Sequence, residues 1–324
     1  MEAVVAIDGS ARGPAHLVLT ASVARRYYLD GRSKVEIAQE FALSRFKVAR
    51  LLDDARNSGL VRIEIGHPGS VDVELSDRLM SALGLQHCVV TDTPDDVPAT
   101  MRAHLGAAAA ELLTEIVTPD DVLGLSWARS VSAMANALQR LAPVPVVQLT
   151  GALARPGVDD SSIEVVRDVA RVAGGPAYFF YAPMAVPDAA TAQALRRQPE
   201  VAQAFSRIGS VTRAVAGVGA WEPEQSTLFD ATGEAERREL ARRGVCAEIS
   251  GVLVDDDGNP VRSALTERMI GITAEQMRAV PEVIAIVYGG AKVHAVLAAV
   301  RGGMVNSLVT HSTLAESLIT AAGT

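Results

Sequence analysis

Cysteine and aromatic side chains are scarce in this sequence. Phe, Trp and Tyr make up 4% of its 324 residues, and only two cysteines occur, Cys88 and Cys246, far apart and in apolar surroundings. Such a pair indicates buried thiols and neither a disulfide framework nor a zinc site. The sequence also lacks an apolar run near the roughly 18–20 residues of a membrane span and a basic-then-apolar leader. We therefore expect a cytoplasmic protein without a membrane partner.

The short motifs of hydrolases, metalloenzymes and nucleotide-binding proteins are missing as well. No GxSxG, HExxH, CxxC, GxGxxG or Walker pattern occurs, and "GVGAW" (217–221) is typical of a tight turn. The acidic run Asp255–Asp257 precedes "GN", which predicts a turn and not a calcium loop. The histidines at positions 67, 87, 104, 294 and 311 have no partner at ligand spacing. We expect no catalytic residue, no metal and no cofactor.

Charge is distributed unevenly along the chain. The net charge is −8, which argues against a protein that coats nucleic acid along its whole surface. Between Ala21 and Ile65, however, nine basic residues outnumber six acidic ones, whereas residues 66–324 carry a net charge of −10. A small basic head therefore precedes a large acidic body.

Three short helices and a strand are predicted in the basic head. The first helix covers about Leu17–Asp30. The second begins at "SKVE", where Ser33 opens a capping box, and ends near Phe41. After the turn "AL", Ser44 caps a third helix that runs to Gly59, and "LVRIEI" (60–65) alternates like a strand. This is the order of a winged helix-turn-helix.

The outer face of the third helix carries the candidate DNA contacts. Arg45, Lys47 and Arg50 lie opposite the apolar positions, in the N-terminal half of a recognition helix. Arginine suits guanine edges and phosphates, and lysine suits phosphates. The alternative is a generic pair of amphipathic helices with a solvated basic face, and the turn has Ala42 where glycine is common. The candidate DNA-binding residues are Ser33, Lys34, Ser44, Arg45, Lys47 and Arg50.

Apolar strands alternate with helical stretches throughout the acidic body. This alternation predicts a mostly parallel sheet with helices on both faces. Strands are predicted at about 86–91, 121–126, 144–150, 177–182, 211–217, 246–254, 283–288 and 305–310. The main helices are predicted at about 73–83, 99–117, 130–141, 162–173, 233–243, 291–301 and 312–322.

Three segments of the body share one pattern, an apolar strand that runs into small and polar residues opening a helix. They are "DVLGLSWARSVSAMANAL" (121–138), "PVVQLTGALARPG" (145–157) and "VIAIVYGGAK" (283–292). Ligands of open α/β sheets bind beyond the carboxyl ends of strands, where helix N-termini attract anions. The segments therefore predict one phosphorylated ligand, with the candidate contacts Ser126, Arg129, Ser130, Gly151, Gly289, Gly290 and Lys292.

These candidates also have simpler interpretations. The stretch Ser126–Ser130 could be an ordinary helix cap with a solvated arginine, and Lys292 could be a surface lysine on a first helical turn. A positive charge at that position opposes the helix dipole, which favours an anionic partner. Glu248 is a further candidate, because this carboxylate in the apolar strand "VCAEISGVLV" either faces solvent or contacts ligand hydroxyls.

Taken together, these residues resemble the SorC/DeoR-type bacterial transcriptional regulators with a SorC sugar-binding domain. The resemblance extends from about Val23 to Ile319. It rests on the head from "YYLDGRSKVEIAQEF" to "LVRIEI", on "GLSWARSV" and "QLTGA", and on "AEISGVLVDDDGN" and "VRGGMVNSLVTH". The turn before Lys292 is about one residue shorter than in the family pattern.

The resemblance implies an α/β fold, with a winged helix-turn-helix followed by a Rossmann-like, mostly parallel sheet similar to that of sugar-phosphate isomerases and deaminases. We expect residues 1–65 to bind DNA, residues 66–84 to form a linker and a helix, and residues 85–324 to bind effector and oligomerise. Residues 126–130, Glu248 and Lys292 match positions where family members contact effector. Homodimers or homotetramers on palindromic or repeated operators are also implied.

The favoured function is a DNA-binding transcriptional regulator of carbohydrate metabolism. Its partners would be double-stranded operator DNA and a sugar phosphate or related metabolite. The alternative is a sugar-phosphate isomerase or deaminase, with Glu248 as general base. A deaminase would need a histidine beside an acidic residue, and no Asp-x-His or Glu-x-His cluster occurs. An interaction scaffold is the third possibility.

Overall fold

The chain folds into two compact units, Met1–Gly66 and His67–Thr324. A computed structural model describes residues 13–61, 71–93, 97–153 and 162–323. Among the helices in these ranges, none combines the length and the apolar character that crossing a bilayer requires. The mixed α/β architecture expected from the sequence is confirmed in the second unit.

Three helices build the first unit: α1 (Pro14–Tyr28), α2 (Lys34–Glu40) and α3 (Arg45–Asn57). Their starts follow local chemistry, because Ser33 and Glu36 form the predicted capping box and the Ser44 hydroxyl accepts a hydrogen bond from the Lys47 amide. The segment predicted as a wing strand lies outside the described residues from position 62 onward. The core consists of Val23, Ala24, Ile37, Ala38, Val48, Leu51, Leu52 and Ala55.

The turn between α2 and α3 holds an unusual backbone conformation. Ala42 has φ +53°, in the left-handed region where the Cβ atom of an L-residue is crowded. Glycine is common at this point of a helix-turn-helix because it lacks that atom. The alanine therefore stores local strain in the turn that orients α3.

A seven-stranded sheet forms the centre of the second unit. Its order is β1-β10-β9-β5-β2-β3-β4, and every neighbouring pair is parallel. The strands are β1 (His87–Thr91), β2 (Leu123–Leu125), β3 (Val146–Gln148), β4 (Ala177–Tyr178), β5 (Arg213–Ala216), β9 (Glu282–Ile286) and β10 (Ser307–His311).

Helices cover both faces of this sheet. Along β9 and just beyond it, Val283, Ala285 and Val287 belong to the core cluster that includes α4, α14 and α15, whereas Ile284 and Ile286 belong to the cluster that includes α5, α6 and α7. This alternation is the period of a strand that is buried on both sides. The helices are α4 (Val73–Leu83), α5 (Pro98–Ile116), α6 (Arg129–Ala137), α7 (Ser162–Ala173), α14 (Val293–Arg301) and α15 (Ser312–Ala322).

A second, antiparallel sheet was not predicted. The single strand expected at 246–254 is wrong, because the chain reverses at Ser250–Gly251 and forms a hairpin of β7 (Val245–Ile249) and β8 (Val252–Asp255). The reversal needs positive φ at both turn residues, which a continuous apolar run does not signal. The hairpin pairs with β6 (Val218–Ala220), which is also absent from the prediction.

The remaining helices are short, and only one of them, α11, was predicted from the sequence. They are α8 (Ala189–Arg196), α9 (Pro199–Ile208), α10 (Thr227–Ala231), α11 (Glu234–Arg242), α12 (Ala264–Glu267) and α13 (Ala274–Ala279). The strand predicted at 177–182 is reduced to the two residues of β4. Helix α4, predicted as part of a linker region, packs on β1 and α15 within the second unit.

Candidate functional site

The strand order brings two of the three predicted ligand segments together. Strands β9, β5 and β2 are neighbours in the sheet, so the residues that follow their carboxyl ends converge at one edge. There they line a cleft, with Arg129 and Ser130 after β2, Gly217 after β5, and Tyr288 and Lys292 after β9. The antiparallel sheet contributes Glu248 to the same cleft.

Glycines allow the antiparallel sheet to approach this edge closely. A Cβ atom on Gly217 would lie 2.8 Å from that of Ala128, and one on Gly219 would lie 2.7 Å from that of Ser226. Gly219 also faces Glu248 in the register of β6 and β7. The segment "GVGAW" (217–221), interpreted from the sequence as a tight turn, instead contains β6, which pairs with β7 and so brings Glu248 into the cleft.

Glu248 is held by hydrogen bonds within a largely buried setting. Its Oε1 accepts a hydrogen bond from the Gly251 amide at 2.8 Å, and its Oε2 accepts one from the Ser226 hydroxyl at 3.2 Å. Burial raises the pKa of this carboxyl, although both hydrogen bonds and the charge of Lys292 oppose the shift. The carboxylate is thus fixed in position and suited to accept hydrogen bonds from a hydroxylated ligand.

Lys292 lies at the end of a single 3-10 turn, Gly290–Lys292, directly before α14. Burial lowers the pKa of its ammonium group to about 8, the charge of Glu248 opposes this shift, and the charge of Arg129 adds to it. Its Nζ atom lies 5.1 Å from the centroid of the Tyr288 ring. Within the described ranges, no carboxylate forms an ion pair with Lys292. An anion in the cleft would therefore stabilise its charged form.

The N-terminus of α6 provides a second feature that favours an anion. No side chain caps this nine-residue helix, whose N-cap residue is Ala128. The Arg129 side chain lies at its first turn, and Ser130 donates a hydrogen bond to the Ile286 carbonyl oxygen at 2.9 Å. The latter bond ties α6 to β9 and so brings the helix N-terminus close to the turn that carries Lys292. Free amide groups and the helix dipole both favour negative charge at such a position.

Half of the predicted effector residues line the cleft, namely Arg129, Ser130, Glu248 and Lys292. The other four are not among its lining residues. The Ser126 hydroxyl donates a hydrogen bond to the Val215 carbonyl oxygen at 3.3 Å. A Cβ atom on Gly151 would lie 2.5 Å from the Pro183 carbonyl oxygen, so this glycine allows close backbone packing. Gly289 and Gly290 shape the turn before Lys292, and Gly289 adopts φ +94°.

Several residues that line the cleft or support it from behind the lining were not predicted from the sequence. Gln225 and Ser226 come from the loop and helix cap after β6, which was itself not predicted. Tyr288 lies in the segment "VIAIVYGGAK", where a single tyrosine does not indicate a ligand contact. His311, at the end of β10, accepts a hydrogen bond through Nε2 from the Gly289 amide at 3.1 Å. A residue 22 positions away in the chain thus holds the glycine turn, and spacing within one segment cannot indicate such a contact.

The exposed face of α3 carries the basic residues predicted to bind DNA. Arg45, Lys47 and Arg50 are exposed, and within the described part of the chain they form no ion pair. By contrast, Arg26 and Arg32 of the same unit both pair with Glu40. Unpaired guanidinium and ammonium groups remain available to phosphate oxygens and base edges.

The predicted contacts at the two helix starts have local structural roles. The Ser33 and Ser44 hydroxyls accept hydrogen bonds from backbone amides as N-caps, and each can still donate its proton to a phosphate. The Lys34 ammonium lies 5.6 Å from the centroid of the Tyr27 ring. Among the residues described, no group of three His, Cys, Asp or Glu side chains is arranged to hold a metal ion.

Comparison with known proteins supports a common origin for most of the chain. A family model described as "Putative sugar-binding domain" matches residues 67–320. The transcriptional regulator LsrR of Klebsiella pneumoniae subsp. pneumoniae is 28% identical over 311 residues, which cover 93% of this chain and 92% of LsrR. The uncharacterized transcriptional regulator YjhU of Escherichia coli K12 is 27% identical over 304 residues, which cover 90% of this chain and 92% of YjhU.

Solved structures agree on the fold. The full-length sorbitol operon regulator SorC from Klebsiella pneumoniae superimposes with a TM-score of 0.72 at 22% identity, covering 94% of this chain and 99% of that chain. The probable sor operon regulator from Shigella flexneri gives a TM-score of 0.70 at 23% identity over 76% of this chain and 99% of that one. The resemblance stated from the sequence is confirmed: the chain belongs to the sugar-binding domain family of SorC-type transcriptional regulators.

Proposed function

We propose that this protein is a transcriptional regulator of carbohydrate metabolism that binds operator DNA through residues 1–65 and a phosphorylated sugar through residues 85–324. Its full-length relatives are named as transcriptional regulators. The sugar phosphate occupies the cleft at the carboxyl ends of β2, β5 and β9. Binding shifts the population of conformations and thereby changes how the two α3 helices of a dimer engage DNA.

One observation carries the proposal for the ligand: two cations share the cleft without a carboxylate bonded to either of them. Burial lowers the pKa of Lys292, the charge of Arg129 adds to this shift, and within the described residues neither side chain forms an ion pair. With the uncapped N-terminus of α6, they form a local cationic subsite for a phosphate group, in a cleft that Glu224, Asp230 and Glu248 also line. Glu248 and Ser226 face the same cleft and suit the hydroxyl groups of a sugar.

The enzyme alternative does not fit this arrangement. Glu248 is the general base that it requires, yet none of the described residues that line the cleft is a histidine. A deaminase needs such a partner to assist ring opening. Since the curated relatives are regulators, the chain is a regulator and not an isomerase or a deaminase.

The DNA-binding unit acts as a pair in this proposal. One α3 helix reads only a few base pairs, and dimeric helix-turn-helix proteins place two such helices about one turn of DNA apart. We propose a homodimer or a homotetramer of the second unit as the platform that sets this spacing. Sedimentation velocity with and without operator DNA tests the assembly, and a monomer bound to a single half-site would refute it.

The experiment that tests the ligand uses two variants with opposite expectations. A panel of hexose and pentose phosphates, each compared with its parent sugar, is titrated by calorimetry into wild-type protein, Lys292→Met and Lys47→Met. A phosphorylated member should bind wild-type protein and Lys47→Met equally, bind Lys292→Met about tenfold more weakly, and exceed its parent sugar in affinity. Lys47→Met should instead weaken DNA binding. Equal affinity of wild-type protein and Lys292→Met would show that the phosphate does not bind beside Lys292 in this cleft.

A further inference from the structure

A second cavity lies beside the effector cleft, and Ser250 lines both of them. Its volume is about 440 Å³, within the range of small-molecule sites. Strand β8, the loop that follows it, the end of α8 and the start of α13 line this cavity. Val252, Val261 and Ile272 give it an apolar wall. The cavity therefore has room for a ligand with a carbon skeleton.

Three arginines surround the apolar wall: Arg196, Arg262 and Arg278. In the described parts of the chain, none of them pairs with a carboxylate. Arg196 donates through Nη2 to the Met269 and Gly271 carbonyl oxygens, and burial lowers the pKa of its guanidinium group. Arg196 is half-buried, and an acid or an anion would compensate the charge of an arginine in such a setting.

Two of the arginines are held in place by the backbone. Arg278 donates through Nε to the Gly302 carbonyl oxygen at 2.7 Å and through Nη2 to the Gly258 carbonyl oxygen at 3.1 Å. A guanidinium group has five N–H bonds, so both Arg196 and Arg278 keep free donors after these contacts. The lining contains one opposing carboxylate, that of Glu275. The lining thus carries a net positive charge with donors that are already oriented.

The wall between the two cavities holds a polar atom without a partner. Ser250 is 7% exposed and lines both cavities, and its Oγ has no hydrogen bond within the described structure. Its φ of +53° is strained for serine, which marks a constrained turn. Gly251, the next residue, bonds Glu248 in the effector cleft at 2.8 Å and lines the second cavity. A buried hydroxyl normally forms at least one hydrogen bond. A ligand in one of the two cavities would supply the missing partner of the Ser250 Oγ atom.

We propose that this second cavity binds a small organic anion, a carboxylate or phosphate on a partly apolar body, at a site distinct from the effector cleft. Guanidinium forks bind both anions through paired hydrogen bonds. The apolar wall takes the carbon skeleton, and Arg262, whose side chain forms no hydrogen bond among the described residues, closes over the charged end.

Fluorine NMR line broadening tests the site with defined probes. The probes are 4-fluorobenzoate, 4-fluorophenyl phosphate and the neutral isostere 4-fluorobenzamide, each added to the full-length protein. Variants are Arg262→Met, the effector-cleft variant Lys292→Met, and Arg238→Met as a control. Arg238 pairs with Glu234 on α11 and does not line the cavity.

Broadening of one anion's signal, but not of the amide, is expected with wild-type protein, Lys292→Met and Arg238→Met. Its apparent affinity should fall about tenfold in Arg262→Met, which loses a charge-assisted hydrogen bond. The proposal is overturned if no anion is broadened, if the amide broadens equally, or if Arg262→Met behaves as wild type. Loss in Lys292→Met alone would place the anion in the effector cleft.

Discussion

The pKa of Lys292 makes the pH dependence of phosphate binding a sharp test of the effector cleft. Burial lowers this pKa to about 8, from 10.5 for an unperturbed lysine. Only the protonated ammonium attracts a phosphate. Because the pKa is lowered, the charged form is complete well below pH 8 and is lost as the pH rises through 8. Affinity should therefore decrease from about pH 7 to about pH 9, a range in which an ordinary lysine would not titrate.

The size of the effect follows from the same value. With a pKa of about 8, roughly nine-tenths of Lys292 is charged at about pH 7 and roughly one-tenth at about pH 9. If the phosphate binds only the charged form and raises its pKa well above about 9, the dissociation constant rises about tenfold between these two values. A phosphate monoester with a second pKa of about 6 stays mostly dianionic throughout.

Calorimetric titration of one sugar phosphate at about pH 7, 8 and 9 measures this change. Wild-type protein should lose about tenfold in affinity, with most of the loss in the upper half of this range. Lys292→Met should bind weakly at every pH and show no such trend. A flat profile for wild-type protein, or the same trend in Lys292→Met, would show that Lys292 does not hold the phosphate.

Three further predictions concern other parts of the molecule. Glu248→Gln should weaken binding of a sugar phosphate by about tenfold more than binding of inorganic phosphate in calorimetry, because the acceptor for the sugar hydroxyls is removed, whereas the altered charge beside Lys292 affects both ligands. An equal change for both ligands would contradict a role at the sugar hydroxyls. Arg45→Ala should reduce the slope of log affinity against log salt by about 1 for each DNA phosphate that this side chain neutralises. Fluorescence anisotropy at several salt concentrations measures this slope. Arg56→Ala should leave it unchanged, because Arg56 is already paired with Asp53. Ala42→Gly should stabilise the first unit by up to about 1 kcal/mol, because glycine adopts the positive φ of this position without strain. Ala49→Gly inside α3 should instead destabilise the unit by about 1 kcal/mol. Hydrogen exchange of the α2 and α3 amides measures both changes, and a loss of stability in Ala42→Gly would show that the backbone at Ala42 is not strained.

Local chemistry made the regular elements predictable. The helices of the first unit begin at Ser33 and Ser44 as expected, since a serine that caps a helix acts within about three residues. The parallel strands are apolar on both faces, and each one can be recognised from its own short apolar run. The helices between them follow from the helical spacing of apolar residues within each segment. The hairpin at Ser250–Gly251 was missed because its turn depends on positive φ at a serine inside an otherwise apolar run.

The candidate site was only partly predictable, for a reason that lies in the sheet order. Lys292 and Arg129 were identified because each follows an apolar strand, and the neighbouring positions of β9, β5 and β2 bring them together. Gly151 follows β3, one strand further along, and does not line the cleft. Ser226 and His311 act through contacts between segments distant in sequence, which one sequence without its fold does not reveal.

The central claim, that a sugar phosphate in the cleft controls DNA binding, is tested most directly by measuring operator affinity with and without that ligand. Duplex DNA selected by the protein from a random pool serves as operator, and anisotropy gives the dissociation constant. For wild-type protein, the sugar phosphate should change this constant by about 5-fold to 150-fold. For Lys292→Met, the constant without ligand should equal that of wild type and should not respond. A sugar phosphate that binds the wild-type cleft but leaves operator affinity unchanged would contradict the account.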